Sequence, residues 1–187
     1  VTLGASTMVL SYNNPDTFYI GTGDRDAGDA AGYGVIYSMN GGSTFSARNT
    51  GMGNVTVSKI LMHPKNSAIL IAATNSGIFR STNSGALWTK TTGTLNFSDI
   101  DFHPFNPSIV YATSYGLFYR STDGGGSFSQ ITNGVPSSGM QRGQIAVTKS
   151  DRGRVYFLVS LNSKFGGFYV SLDSGLSFTN ANSSPAN

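Results

Sequence analysis

The 187-residue sequence contains no cysteine and no glutamate. The first absence excludes disulfides, thiol nucleophiles and zinc–thiolate centres, and leaves the redox compartment open. The second confines carboxylate chemistry to nine aspartates. Charge is sparse: the net value of +3 comes from scattered single Lys and Arg residues with no basic run. A nucleic-acid partner would need a clustered basic face interleaved with stacking aromatics, and none is present. No apolar run is long enough for a membrane span, and the first residues lack the charged and apolar regions of a signal peptide. The expectation is a soluble, mature-looking segment. Its polarity comes from Ser, Thr, Asn and Gly, a style that suggests a secreted or cell-surface setting.

What is present is a repeat. The stretch Ser121-Thr122-Asp123-Gly124-Gly125-Gly126-Ser127-Phe128 returns as Ser38 to Phe45, Ser81 to Trp88 and Ser171 to Phe178. The rule is Ser, any, Asp or Asn, any, Gly, any, any, aromatic. Its fixed positions are Ser38, Asn40, Gly42 and Phe45; Ser81, Asn83, Gly85 and Trp88; Ser121, Asp123, Gly125 and Phe128; and Ser171, Asp173, Gly175 and Phe178. Such recurrence marks a repeat architecture. An Asp or Asn side chain bonds backbone N–H groups just ahead of it, and Gly supplies the positive φ of a tight turn. The aromatic that follows is expected to drop its ring between neighbouring sheets.

These residues resemble the Asp-box (BNR) repeat proteins, which include sialidases, xyloglucanase-like glycoside hydrolases and sortilin-like propellers. The resemblance covers nearly the whole chain. It implies an all-β fold, a β-propeller of four consecutive four-stranded antiparallel blades spanning approximately 7–50, 51–93, 94–138 and 139–182. The first two boxes carry Asn where the family usually has Asp, which keeps the turn bond and removes the charge. The chain is expected to be part of a larger propeller, completed by the remaining blades of a parent protein or by another chain.

Short β-branched and apolar runs supply the strands, A to D in each blade. His63 and His103 fall in A-to-B turns, where bonding to local backbone is the expected role. The column Tyr19, Ile71, Tyr111 and Tyr156 on strand B is expected between blades. Antiparallel connectivity places the A-to-B turns and the boxes at one end, and the B-to-C loops and D-to-A crossovers at the other. Irregular segments, where function usually sits, collect at the second end. They are Gly21 to Gly34, the crossover Thr132 to Gly143 with Met140, Gln141 and Arg142, and Leu161 to Gly166 with Lys164 and Phe165.

Ligand-binding candidates on that rim are Asp24, Asp26, Asp29, Tyr33, Gln141, Arg142, Lys164 and Phe165. The Asp24, Asp26 and Asp29 spacing in a Gly-rich loop offers oxygens to Ca²⁺, with Arg25 as a competing partner. In xyloglucanase-like enzymes a catalytic Asp follows strand B of an early blade, so that resemblance makes Asp24 the catalytic alternative. Inverting glycosidases need two carboxyls about 6.5–9.5 Å apart, and the resemblance puts the second on another propeller. The sialidase pattern fails for want of Glu and of an Arg-Ile-Pro signature. The reading is an extracellular, non-catalytic binding or scaffold module with a glycan or protein ligand on the B-to-C face. The alternative is part of a polysaccharide hydrolase.

Overall fold

The computed structural model describes residues 4–26, 28–138 and 141–182. Among them there is no helix, and the strands form four four-stranded antiparallel sheets, each built in chain order. The first holds β1 (Ala5–Leu10), β2 (Phe18–Thr22), β3 (Val35–Ser38) and β4 (Ser46–Ala47). The second holds β5 (Val57–Met62), β6 (Leu70–Thr74), β7 (Gly77–Ser81) and β8 (Thr89–Lys90). The third holds β9 (Phe97–Phe102), β10 (Val110–Ser114), β11 (Leu117–Ser121) and β12 (Ser129–Ile131). The fourth holds β13 (Arg142–Val147), β14 (Val155–Leu161), β15 (Lys164–Ser171) and β16 (Thr179–Asn182). These are propeller blades, and the fold class is a β-propeller.

Composition explains which strands lie inside. Leu-Ile-Ala-Ala-Thr of β6 and Val-Tyr-Ala-Thr-Ser of β10 are buried at every position, so both faces of these second strands are covered. The fourth strands β4 and β8 are two exposed residues each, Ser-Ala and Thr-Lys. A short polar edge is a poor template for unwanted pairing.

The four box turns share one hydrogen-bond pattern. The amides of Gly42, Gly85, Gly125 and Gly175 each donate to the box serine Oγ at 2.9 Å. Ser38, Ser81, Ser121 and Ser171 donate in turn to Oδ1 of the Asn or Asp two residues on. That oxygen also accepts the amides of Thr44, Leu87, Ser127 and Ser177. Each box is tied to the A-to-B turn of its own blade, through Gly41 N to Asp16 O, Ser84 N to Ala68 O, Gly124 N to Ser108 O and Ser174 N to Gly153 O. Both turns therefore lie at one end of every blade, as the connectivity requires.

The chain divides into two compact units, residues 1–97 and 98–187, each with two sheets. In the first unit Tyr19, Val35, Ile60, Leu70, Phe79 and Trp88 close one core. In the second, Tyr111, Phe118, Ile145, Val155, Phe157 and Phe178 close the other. Trp88 is 2% exposed and donates from Nε1 to Arg48 O at 2.7 Å. Phe178 packs on Phe118 with ring centroids 4.7 Å apart. The aromatic of a box thus points toward the preceding blade. This corrects the expectation for the first box: Phe45 is 48% exposed, with Phe18 against it at 5.9 Å between ring centroids, while Phe128 of the third box is half-buried. No sheet of its own unit precedes either one.

Within each unit the two sheets are joined by matched polar ties. Tyr19 Oη donates to Ser84 O at 3.2 Å, and Tyr111 Oη to Ser174 O at 3.1 Å. Both acceptors are the residue after the box Asn or Asp, held at φ 57° and 58°. At the next position a Cβ on Gly175 would sit 2.9 Å from Tyr111 Cε1. Burial raises both phenol pKa values, Tyr111 to about 12 despite Arg120 and the Ser174 hydrogen bond, so each stays a donor. A second tie joins the first strands: Ile60 N donates to Thr7 Oγ1, and Ile145 N to Asp99 Oδ2 at 2.8 Å.

Two irregular segments are shorter than the sequence suggests. Leu161 and Lys164 are paired strand residues, so 161–166 is a tight hairpin about Asn162 and Ser163 at φ 49° and 59°. Two adjacent left-handed residues make the turn whose twist matches a hairpin. Arg142 likewise belongs to β13 and pairs with Ser160. Met140, expected in the crossover, lies outside the described residues.

Candidate functional site

The connection from β2 to β3 is a long loop, yet it is held at many points. Thr22 Oγ1 donates to Gly34 O at 2.8 Å and accepts from Tyr33 N at 2.7 Å, closing the base. Gly23 N donates to Gly4 O and Asp24 N to Ala30 O, folding the tip back on itself. Gly34 N donates to Val55 O, and Asn49 Nδ2 to Tyr33 O at 2.9 Å, docking the returning arm on the crossover. Gly32 makes that approach feasible, because a Cβ there would lie 2.2 Å from Val55 O.

This loop walls a cleft of about 390 Å³ with the start of β1. Asp24, Arg25, Asp26 and Asp29 line it, together with Gly4, Ala5 and Ser6. Asp24 Oδ1 accepts from Asp26 N at 2.7 Å. Arg25 Nε lies 3.6 Å from Asp26 Oδ1, while its Nη1 donates to Ser58 O at 3.4 Å. The structure thus brings the three expected aspartates to one cleft. It does not gather them as a calcium site: among the described residues no three His, Cys, Asp or Glu side chains come close enough to hold a metal ion. Asp24 is turned inward onto the backbone and Asp26 is engaged by Arg25. Tyr33 stands half-exposed on the same loop.

The second expected group divides. Arg142, Lys164 and Phe165 border a separate, more apolar cleft of about 310 Å³ with Gln144 and Leu158. Gln141 is spent on structure, its Oε1 accepting from Ser163 N at 2.6 Å to steady the hairpin. In each unit the cleft sits at the end of the blades that carries the B-to-C connection, opposite the box turns.

The carboxylates of Asp99, Asp101, Asp123 and Asp173 are structural. Oδ1 and Oδ2 of Asp99, which is buried, accept from Ile100 N and Ile145 N, and Asp101 accepts from Phe102 N. For Asp123 and Asp173 burial opposes ionisation, yet hydrogen bonds from Ser121 and Ser127, and from Ser177 and Ser171, bring the carboxyls down to about 2. A proton-donating carboxyl would need the opposite shift. Both histidines do what turn residues do: His63 Nδ1 accepts from Lys65 N, and His103 Nδ1 from Phe105 N and Asn106 N. Sequence reasoning missed the Asp99 tie. Its signal was an aspartate two residues after Phe97 on the same strand, hence on the face of that apolar ring, a polar group that must find a partner there.

Searches with the sequence find no matching family model and no matching curated protein. Solved structures do match. An ancestral GH74 enzyme superposes with a TM-score of 0.77 at 20% identity, over 98% of this chain and 24% of that one. The extracellular domain assigned to a hybrid two-component system of B. thetaiotaomicron gives 0.67 at 15% identity, over 95% and 22%. YCF48 from Cyanidioschyzon merolae gives 0.61 at 11% identity, over 99% and 58%. At these identities the likeness is one of fold. The chain spans about a quarter of the first two proteins. No helix among the described residues is long and apolar enough to cross a membrane.

Proposed function

We propose that the chain is a segment of an Asp-box propeller of an extracellular protein, and that it binds a hydroxyl-rich glycan in the Asp24–Asp29 cleft without turning it over. The observation that carries this reading is the hydrogen-bonded loop. A long insertion braced at Thr22, Gly23, Asp24 and Gly34 leaves carboxylates and a guanidinium along a preformed polar cleft. Carboxylates accept from sugar hydroxyls, Arg donates to them, and Tyr33 adds an aromatic face nearby. Preformed polar groups limit the ordering cost of binding. The GH74 likeness favours a polysaccharide ligand, and the two-component extracellular domain favours an outer location.

The hydrolase reading rests on Asp24 alone, and that carboxylate is committed to the Asp26 amide. Titration calorimetry against soluble β-glucans tests the choice, with reducing-sugar release followed in parallel. Binding without release, weakened about tenfold or more by Asp29→Ala, is expected. Sugar release that disappears with Asp24→Ala establishes the hydrolase instead.

A further inference from the structure

In both units the crossover from one sheet to the next is fastened by the same tie. In the first, Trp88 N donates to Thr50 O at 2.9 Å, and in the second Phe178 N donates to Asn133 O at 3.1 Å. The residue after each acceptor is a glycine at positive φ, 85° for Gly51 and 74° for Gly134. Both glycines press onto the carbonyl of the box aromatic, because a Cβ would lie 2.2 Å from Trp88 O and 1.7 Å from Phe178 O. The packing therefore demands the glycine. It does not demand the asparagine: Thr50 does with its backbone carbonyl what Asn133 does with its own, so the tie makes no use of a carboxamide.

What the carboxamide adds is chemistry. When glycine follows asparagine, no side chain crowds the next backbone nitrogen, and that nitrogen can attack the asparagine Cγ. A C–N bond forms, the carboxamide nitrogen leaves as ammonia with the proton the backbone amide gives up, and a five-membered imide remains. Water then opens the ring at either carbonyl. One opening gives aspartate; the other gives isoaspartate, whose main chain runs through Cβ and is longer by one carbon. The sequence holds two such pairs, Asn40–Gly41 and Asn133–Gly134. Asn40 is pinned: its Oδ1 accepts from Ser38 Oγ and Thr44 N at 3.0 Å each, and its Nδ2 donates to Thr44 Oγ1 at 2.9 Å. The nitrogen that would attack it, Gly41 N, donates to Asp16 O at 3.1 Å. Asn133 and Gly134 are exposed to water, and among the described residues neither the Asn133 carboxamide nor the Gly134 amide has a hydrogen-bond partner.

We propose that Asn133–Gly134 is a site of spontaneous deamidation, and that its isoaspartyl product loosens the fourth blade from the third. In isoaspartate the carbonyl that accepts Phe178 N becomes a free carboxylate off the main chain, so the tie to the box aromatic is lost. The added carbon also displaces Gly134 from a slot that has no room for a Cβ. Aspartate at the same position leaves the backbone as it was. Nothing here involves the Asp24 cleft, so the glycan reading and this modification stand or fall separately.

Ageing the whole chain in mildly alkaline buffer, with peptide mapping by mass and enzymatic methylation of isoaspartate, tests both parts. In the folded chain Asn133 should convert more than about tenfold faster than Asn40, since the bonds that hold Asn40 must open first. In urea, where those bonds are gone, the two should convert alike. Aged wild-type chain should melt about 2–4 °C or more below fresh chain. Asn133→Thr, which copies Thr50, should fold, melt with the fresh wild type and lose nothing on ageing. Fresh Asn133→Asp should melt with the wild type as well, which assigns the loss to the lengthened main chain and not to the new charge. An Asn133 that stays intact in the folded chain, or converts no faster than Asn40, overturns the assignment of the site. A wild-type chain that converts to isoaspartate and melts unchanged, or an Asn133→Thr chain that loses as much on ageing, overturns the loosening.

Discussion

Asp123 offers a sharp test of what holds a blade turn. Its Oδ1 accepts from Ser121 Oγ at 2.7 Å and from the amides of Gly126 and Ser127 at 2.9 Å, and its Oδ2 accepts from Ser127 Oγ at 2.7 Å. Asp123→Ala removes all four bonds. The turn is exposed, so water replaces part of each, and a net loss near 0.5 kcal/mol per bond gives about 2 kcal/mol. For a chain of this size that is a fall of roughly 4–8 °C in melting temperature. Asp123→Asn keeps the Oδ1 acceptor, the arrangement already used by Asn40 and Asn83, and should cost about 0.5 kcal/mol or less.

The same carboxylates give a pH signature. In the folded chain Asp123 and Asp173 titrate at about 2, below the ordinary 3.8. A depressed carboxyl contributes stability that is fully present above its unfolded value and is lost as pH falls through the folded one. The window is therefore pH 4 down to pH 2, and solvent screening keeps each contribution below about 1 kcal/mol. Both groups lie in the second unit, whereas the boxes of the first carry Asn. Trp88, the single tryptophan, reports on the first unit alone. Acid should deplete far-ultraviolet circular dichroism before the Trp88 fluorescence shifts, and Asp123→Asn with Asp173→Asn should narrow the gap. If Asn proves as damaging as Ala, charge rather than acceptor geometry holds the turn; if the gap is unchanged in the double variant, these two carboxyls do not set the acid window, and either result refutes this account.

Trp88→Ala should cost about 3–5 kcal/mol in thermal melts, while Phe45→Ala, at the same box position but exposed, should cost less than about 1 kcal/mol. Asp99→Ala strands the buried Ile145 amide and should cost about 2–4 kcal/mol, with urea unfolding as the readout. Gly134→Ala places a Cβ 1.7 Å from Phe178 O at a backbone φ of 74°, so reduced yield of folded protein is expected. Calcium up to millimolar levels should leave the melting temperature unchanged; a rise that vanishes in Asp26→Ala would restore the calcium reading of the loop.

The box repeat made the fold legible because every one of its positions answers a local need: a serine hydroxyl under a glycine amide, an acceptor for the next turn, a glycine at positive φ. Local needs recur in local sequence. The blade-to-blade ties were far less legible, since Tyr111 meets Ser174 and Asp99 meets Ile145 across long stretches of chain. In the column Tyr19, Ile71, Tyr111 and Tyr156 the first three are buried, as the column reads, and Tyr156 is half-buried; the phenolic bonds go to the backbone carbonyl after the box Asn or Asp, which no side chain announces. The site was legible only as a place. Asp24, Asp26 and Asp29 do share a cleft, yet their spacing conveyed nothing of the Asp26 amide turning Asp24 inward. The hairpin at Asn162 and Ser163 reads in sequence as a loop because its polar, turn-forming pair does not carry the register that continues β14 and β15 up to it.

These two scales of legibility bear on how such chains acquire function. A blade is specified by contacts inside its own turn, so its B-to-C connection can lengthen without disturbing the box at the opposite end. The first blade shows this directly: its long loop leaves Asn40 bonded as Asn83 is in the second blade, whose β6 and β7 are joined by a short turn. Stability is thus assigned to one end and variation to the other. Binding chemistry is accordingly sought where the connections differ between blades, and the residues that make the blades alike are assigned to folding.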